Sequence, residues 1–139
     1  MMYDVEQLIP HGKPMIMIDG YCRIDDKRAL SEKTFSADDY AVCRGFVMDS
    51  VLIECLAQTV AAHSGYNAVV EKKSRPGQGM LVAVDLFDFY DRIAAPATIT
   101  INIQQKDQFG SFTMYSGTVR QREKTVAKGD IKVFNAREE

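Results

Sequence analysis

The sequence predicts an α+β domain in which one helix packs on one antiparallel sheet. Two observations carry that expectation. Only one stretch has long helical periodicity: Val51, Leu52, Cys55, Leu56, Thr59, Val60 and Ala62 recur at three- and four-residue spacing. A hairpin pattern precedes it, and nearly everything after it reads as strand.

In chain order, residues 5–9 read as a short amphipathic turn or helix. It ends at Pro10-His11-Gly12-Lys13-Pro14, where two prolines and a glycine prevent regular helix. Residues 15–24 read as strand, Asp25-Asp26-Lys27-Arg28 as a polar turn, and 29–35 as the returning strand. The helix starts near Ser50, where Asp49 or Ser50 can cap it by accepting an unpaired backbone N–H. It continues past Asn67 towards Lys72 until Arg75-Pro76-Gly77 breaks it. Strands follow over 80–88, 97–103, 109–122 and 125–134, with Gln121-Arg122-Glu123-Lys124 turning the last hairpin. Thr98-Ile99-Thr100-Ile101-Asn102-Ile103 alternates polar and apolar, as a half-buried antiparallel strand does. One such layer leaves a sheet face and an edge to cover, which predicts a dimer.

A length of 139 residues fits one domain, 1–139, with a single core. Apolar residues at 46% and charged residues at 26% exclude a disordered chain. Lysine and arginine number 17 against 19 acidic residues, so no excess charge draws nucleic acid or an anionic membrane. The longest apolar run, residues 80–84, falls far short of the roughly 18–20 residues that span a bilayer. The start, Met-Met-Tyr-Asp-Val-Glu, lacks the basic and apolar regions of a signal peptide, so a cytoplasmic protein is expected. Cys22, Cys43 and Cys55 form no Cys-x-x-Cys pair, and His11 and His63 are the only imidazoles. A disulfide framework and a metal centre are therefore not expected, nor is a cofactor; the thiols read as reduced and mostly buried. A chain this small has a small site or shares one between subunits.

Residues 40–65 carry the chemistry. Glu54 lies early in an apolar helix, and Gln58 follows four residues later, about 40° around the axis and on the same face. Two polar side chains on one stripe of an apolar helix point to a lined pocket; a solvent-facing carboxylate is the alternative. Glu54 and His63 are nine residues apart, about 180° around the helix, and cannot meet on one face.

Four segments then carry a resemblance: LIPHGKPMIMIDG at 8–20, VLIECLAQTVAAHSGY at 51–66, GMLVAVDLFDFY at 79–90 and VAKGDIKVF at 126–134. In that order they resemble the hot-dog-fold 3-hydroxyacyl-(acyl carrier protein) dehydratases of fatty-acid synthesis. The helix motif Glu54-x-x-Ala57-Gln58-Thr59-x-Ala61-Ala62, followed by Gly65, is most similar to the predicted dehydratases of aryl-polyene lipid pathways. The resemblance implies a long central helix wrapped by an antiparallel sheet, in a homodimer or a heterodimer with another hot-dog protein. It also implies an acyl carrier protein as partner, its acyl-phosphopantetheine arm lying in a tunnel at the dimer interface. In such dehydratases a histidine of one subunit removes the α-proton. A helix carboxylate of the other assists departure of the β-hydroxyl as water, while a backbone N–H at the helix start holds the thioester carbonyl. Glu54 matches the carboxylate and Gln58 the glutamine one turn later.

The departures bear on the mechanism. The histidine position falls on Tyr40, and the Pro-Gly before the helix becomes Met48-Asp49, so Asp49 stands at the oxyanion-binding glycine. A tyrosine near pKa 10 needs roughly 4 kcal/mol to ionise at pH 7. That largely cancels the 10²–10⁴ gain of a general base, so Tyr40 reads as a hydrogen-bonding or packing residue. Asp38 and Asp39 fit a solvated loop, Asp49 a helix cap, His11 a rigid turn and His63 helix packing or surface. The resemblance thus gives Glu54 and Gln58 to catalysis and sets Tyr40, Asp49, Ser50 and His11 against the substrate. Two alternatives stay open: a silent acyl-binding subunit that partners a complete dehydratase, and a thioesterase in which Glu54 activates water.

Overall fold

The computed structural model describes residues 5, 8, 16–67 and 79–135. β1 (Gly20–Arg23) and β2 (Arg28–Phe35) form the first hairpin. Its polar turn is built by Asp25, whose carboxylate accepts the N–H groups of Lys27 at 2.9 Å and Arg28 at 2.8 Å. Those bonds, with the Arg28 guanidinium, hold the Asp25 carboxyl below its usual range. The strand expected over 15–24 starts only at Gly20, because the Met17 N–H bonds a helix side chain instead of a neighbouring strand.

A hairpin that the sequence did not announce precedes the helix: β3 (Val42–Cys43) and β4 (Phe46–Val47). Arg44 and Gly45, at φ +53 and +84, turn it as a two-residue hairpin with both central residues left-handed. The helix, α1 (Asp49–Tyr66), has Met48 as its N-cap with no side-chain cap bond. Neither Asp49 nor Ser50 caps it, since both already lie inside its first turn. The expected continuation from residue 68 to Lys72 lies outside the described residues.

Four long strands complete the sheet: β5 (Gly79–Phe89), β6 (Ala97–Phe109), β7 (Phe112–Gln121) and β8 (Lys124–Asn135). The single strand expected over 109–122 divides, because Gly110, at φ +60, reverses the chain between Phe109 and Phe112. The six strands run antiparallel in the order β1-β2-β6-β7-β8-β5, leaving β1 and β5 as edges.

Alternation gives this sheet one face against α1, formed by Ala29, Ser31 and Phe35 of β2, Ile99, Ile101 and Ile103 of β6, Tyr115 and Val119 of β7, and Ile131 and Val133 of β8. The helix is buried nearly all round, with Leu52, Cys55, Leu56, Val60 and Ala62 at its centre. A helix apolar on most sides needs a sheet that curls about it. Gly117 and Gly129 pair across β7 and β8 beneath it. A Cβ at Gly117 would lie 2.0 Å from Leu56 Cδ1, and one at Gly129 2.3 Å from Phe87 Cδ2, so these glycines admit the helix and the bulged strand β5. This is the long helix wrapped by antiparallel sheet that the resemblance implies.

Candidate functional site

Helix spacing brings Glu54 and Gln58 together as expected. Gln58 is 1% exposed, and its Oε1 accepts the Met17 N–H at 2.7 Å. That bond fixes which end of the amide is which, so Nε2 donates to Glu54 Oε1 at 3.0 Å. Three residues before Gln58, the Cys55 thiol points to the Met17 carbonyl at 4.0 Å. The segment 16–18 is thus fastened to the helix along the same stripe that carries the carboxylate. Glu54 is half-buried, held in one orientation by a buried amide rather than loose in solvent. Burial pushes the Cys55 thiol up to about 12, which leaves it protonated and inert as a nucleophile.

His63 lies elsewhere, as the helix geometry requires. It is fully buried; its Nε2 stands 2.8 Å from the Asp26 carbonyl oxygen and its Nδ1 2.6 Å from the Tyr21 hydroxyl. A carbonyl only accepts, so Nε2 carries the proton and Nδ1 accepts from Tyr21. Desolvation lowers the His63 pKa, outweighing the bond to Asp26, and burial raises that of Tyr21 well above the ordinary phenol. Both groups are neutral, closed and structural.

A pH dependence follows. Because the folded-state pKa of His63 lies below the unfolded value, acid favours the unfolded chain. Stability from this group is complete above about pH 6.5 and falls by about 1.4 kcal/mol per unit below it, until the folded pKa is reached. Urea unfolding midpoints between pH 7.5 and 5.5 are expected to drop accordingly, and to drop less in His63→Gln.

The remaining candidates separate. Tyr40 is 64% exposed, at the centre of a tight turn in which the Val42 N–H bonds the Asp39 carbonyl. Asp39 also accepts the Ala41 N–H at 3.0 Å, and Asp38 accepts the Ser36 hydroxyl at 2.8 Å, so both carboxylates serve the loop. Asp49 and Ser50 are exposed at the helix start. Asp49 lies five residues before Glu54, about 140° around the axis, and faces a different side. His11 lies outside the described residues. Of the thiols only Cys55 is buried; Cys22 is half-buried and Cys43 exposed, which corrects the expectation of mostly buried cysteines.

Asp49 forms part of the wall of an open cleft of about 1010 Å³ between the β3–β4 hairpin, the helix start and the residues after β5. The Arg92 guanidinium lies 4.6 Å above the centre of the Phe46 ring there. Asp91, beside it, is paired with Lys124, which holds its carboxyl below the usual range. In the sequence this cleft has one signal, Arg44-Gly45, a two-residue turn in a segment too short to read as strands. Glu54 is not among the residues lining it. Among the described residues, no cluster of three or more histidine, cysteine or acidic side chains is placed to hold a metal, and no helix is long and apolar enough to cross a membrane.

Comparison with known proteins extends the geometry. No curated protein matches the chain. The chain is similar to the dehydratase heterocomplex ApeI:P from Xenorhabdus doucetiae, with TM-score 0.87 at 18% identity over 98% of this chain and 93% of that one. It is similar to a sigma28-regulated virulence protein of Campylobacter jejuni, with TM-score 0.74 at 13% identity over 98% of each chain. A hypothetical thioesterase with coenzyme A from Streptococcus pneumoniae aligns with TM-score 0.65 at 12% identity over 84% of this chain and 85% of that one. At such identities these likenesses speak for the fold, which is the hot-dog fold. A family model described as ApeP dehydratase matches residues 3–139. With nearly its whole length matched, the chain belongs to the ApeP-like dehydratase family.

Proposed function

We propose that this chain is the carboxylate-bearing half of a 3-hydroxyacyl-(acyl carrier protein) dehydratase in aryl-polyene-type lipid synthesis, completed by a second hot-dog chain. The observation that carries the proposal is the Met17–Gln58–Glu54 clamp. It orients a carboxyl group on the helix, while the one described imidazole, His63, has both nitrogens engaged elsewhere. In this reading the site has an acid in place and takes its base from the second chain.

In this reading a histidine of the second chain removes the proton from C2 of the 3-hydroxyacyl thioester. The C2–H electron pair becomes the C2=C3 double bond and the C3–O bond breaks. The hydroxyl leaves as water with a proton from Glu54, and the proton taken by the base returns through solvent to the Glu54 carboxylate. Gln58 fixes the direction in which Glu54 presents its oxygens, and the N–H groups at Asp49 and Ser50 face the thioester oxygen, where negative charge grows. The exposed Tyr40 ring binds substrate at the shared boundary rather than replacing the base.

Strand β5 supports the choice of partner. Among the described residues it is a long edge, paired on one side only, and Val84, Leu86 and Phe89 along it are exposed, as is Tyr90 just beyond. Leu86, at φ +39, is the extra residue of a bulge and turns 76% of its surface outward. An apolar edge of this kind favours a paired strand from another chain. The likeness to a dehydratase heterocomplex from Xenorhabdus doucetiae supports a heterodimer with a second hot-dog chain, and an acyl carrier protein is the expected donor of substrate.

The test is a comparison of three readouts with a 3-hydroxyacyl carrier-protein substrate: this chain alone, a histidine-bearing hot-dog partner alone, and both together. Enoyl-thioester absorbance is expected from the pair. Free thiol release in place of enoyl formation would make the protein a thioesterase and overturn the reading.

A further inference from the structure

Beyond the catalytic half-site, the outer face of the sheet carries a second feature. On β6, β7 and β8 the residues facing away from α1 near the 110–111 turn form two rows across the strands. The first is Phe109, Phe112 and Phe134; the second is Asp107, Met114 and Lys132. Phe109 is 66% exposed and Phe112 40%, and the Phe112 and Phe134 rings lie 5.3 Å apart at 56°. The bulge at Lys106 brings Asp107 and Phe109 onto this face; without it, they would point towards the helix side. Contiguous exposed aromatic surface of this kind marks an interaction site.

The charges beside it choose the occupant. Neither Asp107 nor Lys132 forms an ion pair among the described residues. They flank Met114 on either side, one on β6 and one on β8. A two-fold axis running along β7 between two facing sheets lays β7 on β7 and β6 on β8 while keeping the rows in register. Phe112 and Met114 then meet their own copies, Phe109 meets Phe134, and Asp107 of each copy meets Lys132 of the other. An axis across the strands instead lays β6 on β6 and β8 on β8, so Asp107 cannot meet Lys132 wherever that axis sits. Of the two arrangements, only the axis along β7 makes the patch self-complementary in charge.

We propose that this outer-face patch is an isologous interface through which two copies of the chain associate, back to back, independently of strand edge β5. Sheets packed face to face with nearly aligned strands are a stable arrangement, and an isologous contact repeats each charge pair twice.

Sedimentation velocity and native mass measurement of the full chain, alone and with any hot-dog partner it binds, test the proposal. The wild-type assembly is expected to have twice the mass of the Phe112→Glu assembly, with the β5-paired unit intact in both. Asp107→Lys and Lys132→Asp are each expected to weaken the association about tenfold or more, because like charges then face each other. The double variant carrying both reversals is expected to recover it to within about threefold. An unchanged mass in Phe112→Glu, or no recovery in the double reversal, overturns the proposal. Both results are independent of catalysis, so they stand apart from the outcome of the dehydratase assay.

Discussion

Glu54→Gln is expected to lower enoyl-thioester formation by about 10²–10⁴-fold, the range a positioned proton donor contributes. The amide has nearly the volume of the carboxyl and still accepts the Gln58 Nε2–H through its oxygen. The loss should therefore fall on kcat, with thermal unfolding and complex mass unchanged. Gln58→Leu is expected to act differently. It removes the group that orients Glu54 and leaves the half-buried Met17 N–H without its acceptor, which costs about 1–3 kcal/mol in stability. Its kcat should fall less than that of Glu54→Gln, since the carboxyl remains and only its placement is lost. Equal losses in the two variants would mean that Gln58 is more than a positioning residue.

The second large effect is structural and lies where the helix meets the sheet. Leu56→Ala is expected to cost about 2–5 kcal/mol, because Leu56 is fully buried over the Gly117 notch. Gly117→Ala places a methyl 2.0 Å from Leu56 Cδ1 and should cost about 1–3 kcal/mol by overpacking. The two changes share one space, so they are not additive. In the Leu56→Ala background the new methyl enters the vacated volume, and the double variant should be more stable than the sum of the singles by roughly 1 kcal/mol or more. Urea unfolding with constant slope measures all four proteins on one scale. Strict additivity would mean that residue 117 does not face Leu56.

The helix and the long strands were legible because their periodicity is strong: Val51 to Ala62 repeats every three or four residues, and 98–103 alternates cleanly. The β6–β7 turn was not, since Phe109 and Phe112 flank Gly110 and an apolar pattern runs through the reversal. Strands of two residues, β3 and β4, are too short to show any period. In the site, the Glu54–Gln58 pair was readable because i and i+4 share a helix face whatever surrounds them. Its anchor was not, because the Met17 N–H is a backbone group and its sequence identity says nothing of where it points. The tautomer of His63 likewise depends on the Asp26 carbonyl, brought close by folding rather than by spacing. Helix geometry did exclude His63 as a partner for Glu54, and the structure gives it a different occupation. The capping role expected of Asp49 or Ser50 failed for a plain reason: the helix begins one residue earlier than a cap at Asp49 would allow.

Enoyl-thioester formation by reciprocal complexes most directly tests whether this chain supplies the acid of a shared site. One complex pairs this chain bearing Glu54→Gln with an intact histidine-bearing hot-dog partner. The other pairs the intact chain with a partner whose histidine is replaced. Both complexes are expected to lose activity by about 10²-fold or more relative to the intact pair, because one lacks the acid and the other the base. Full activity in the Glu54→Gln complex would contradict the account and make this chain a silent subunit beside a self-sufficient dehydratase.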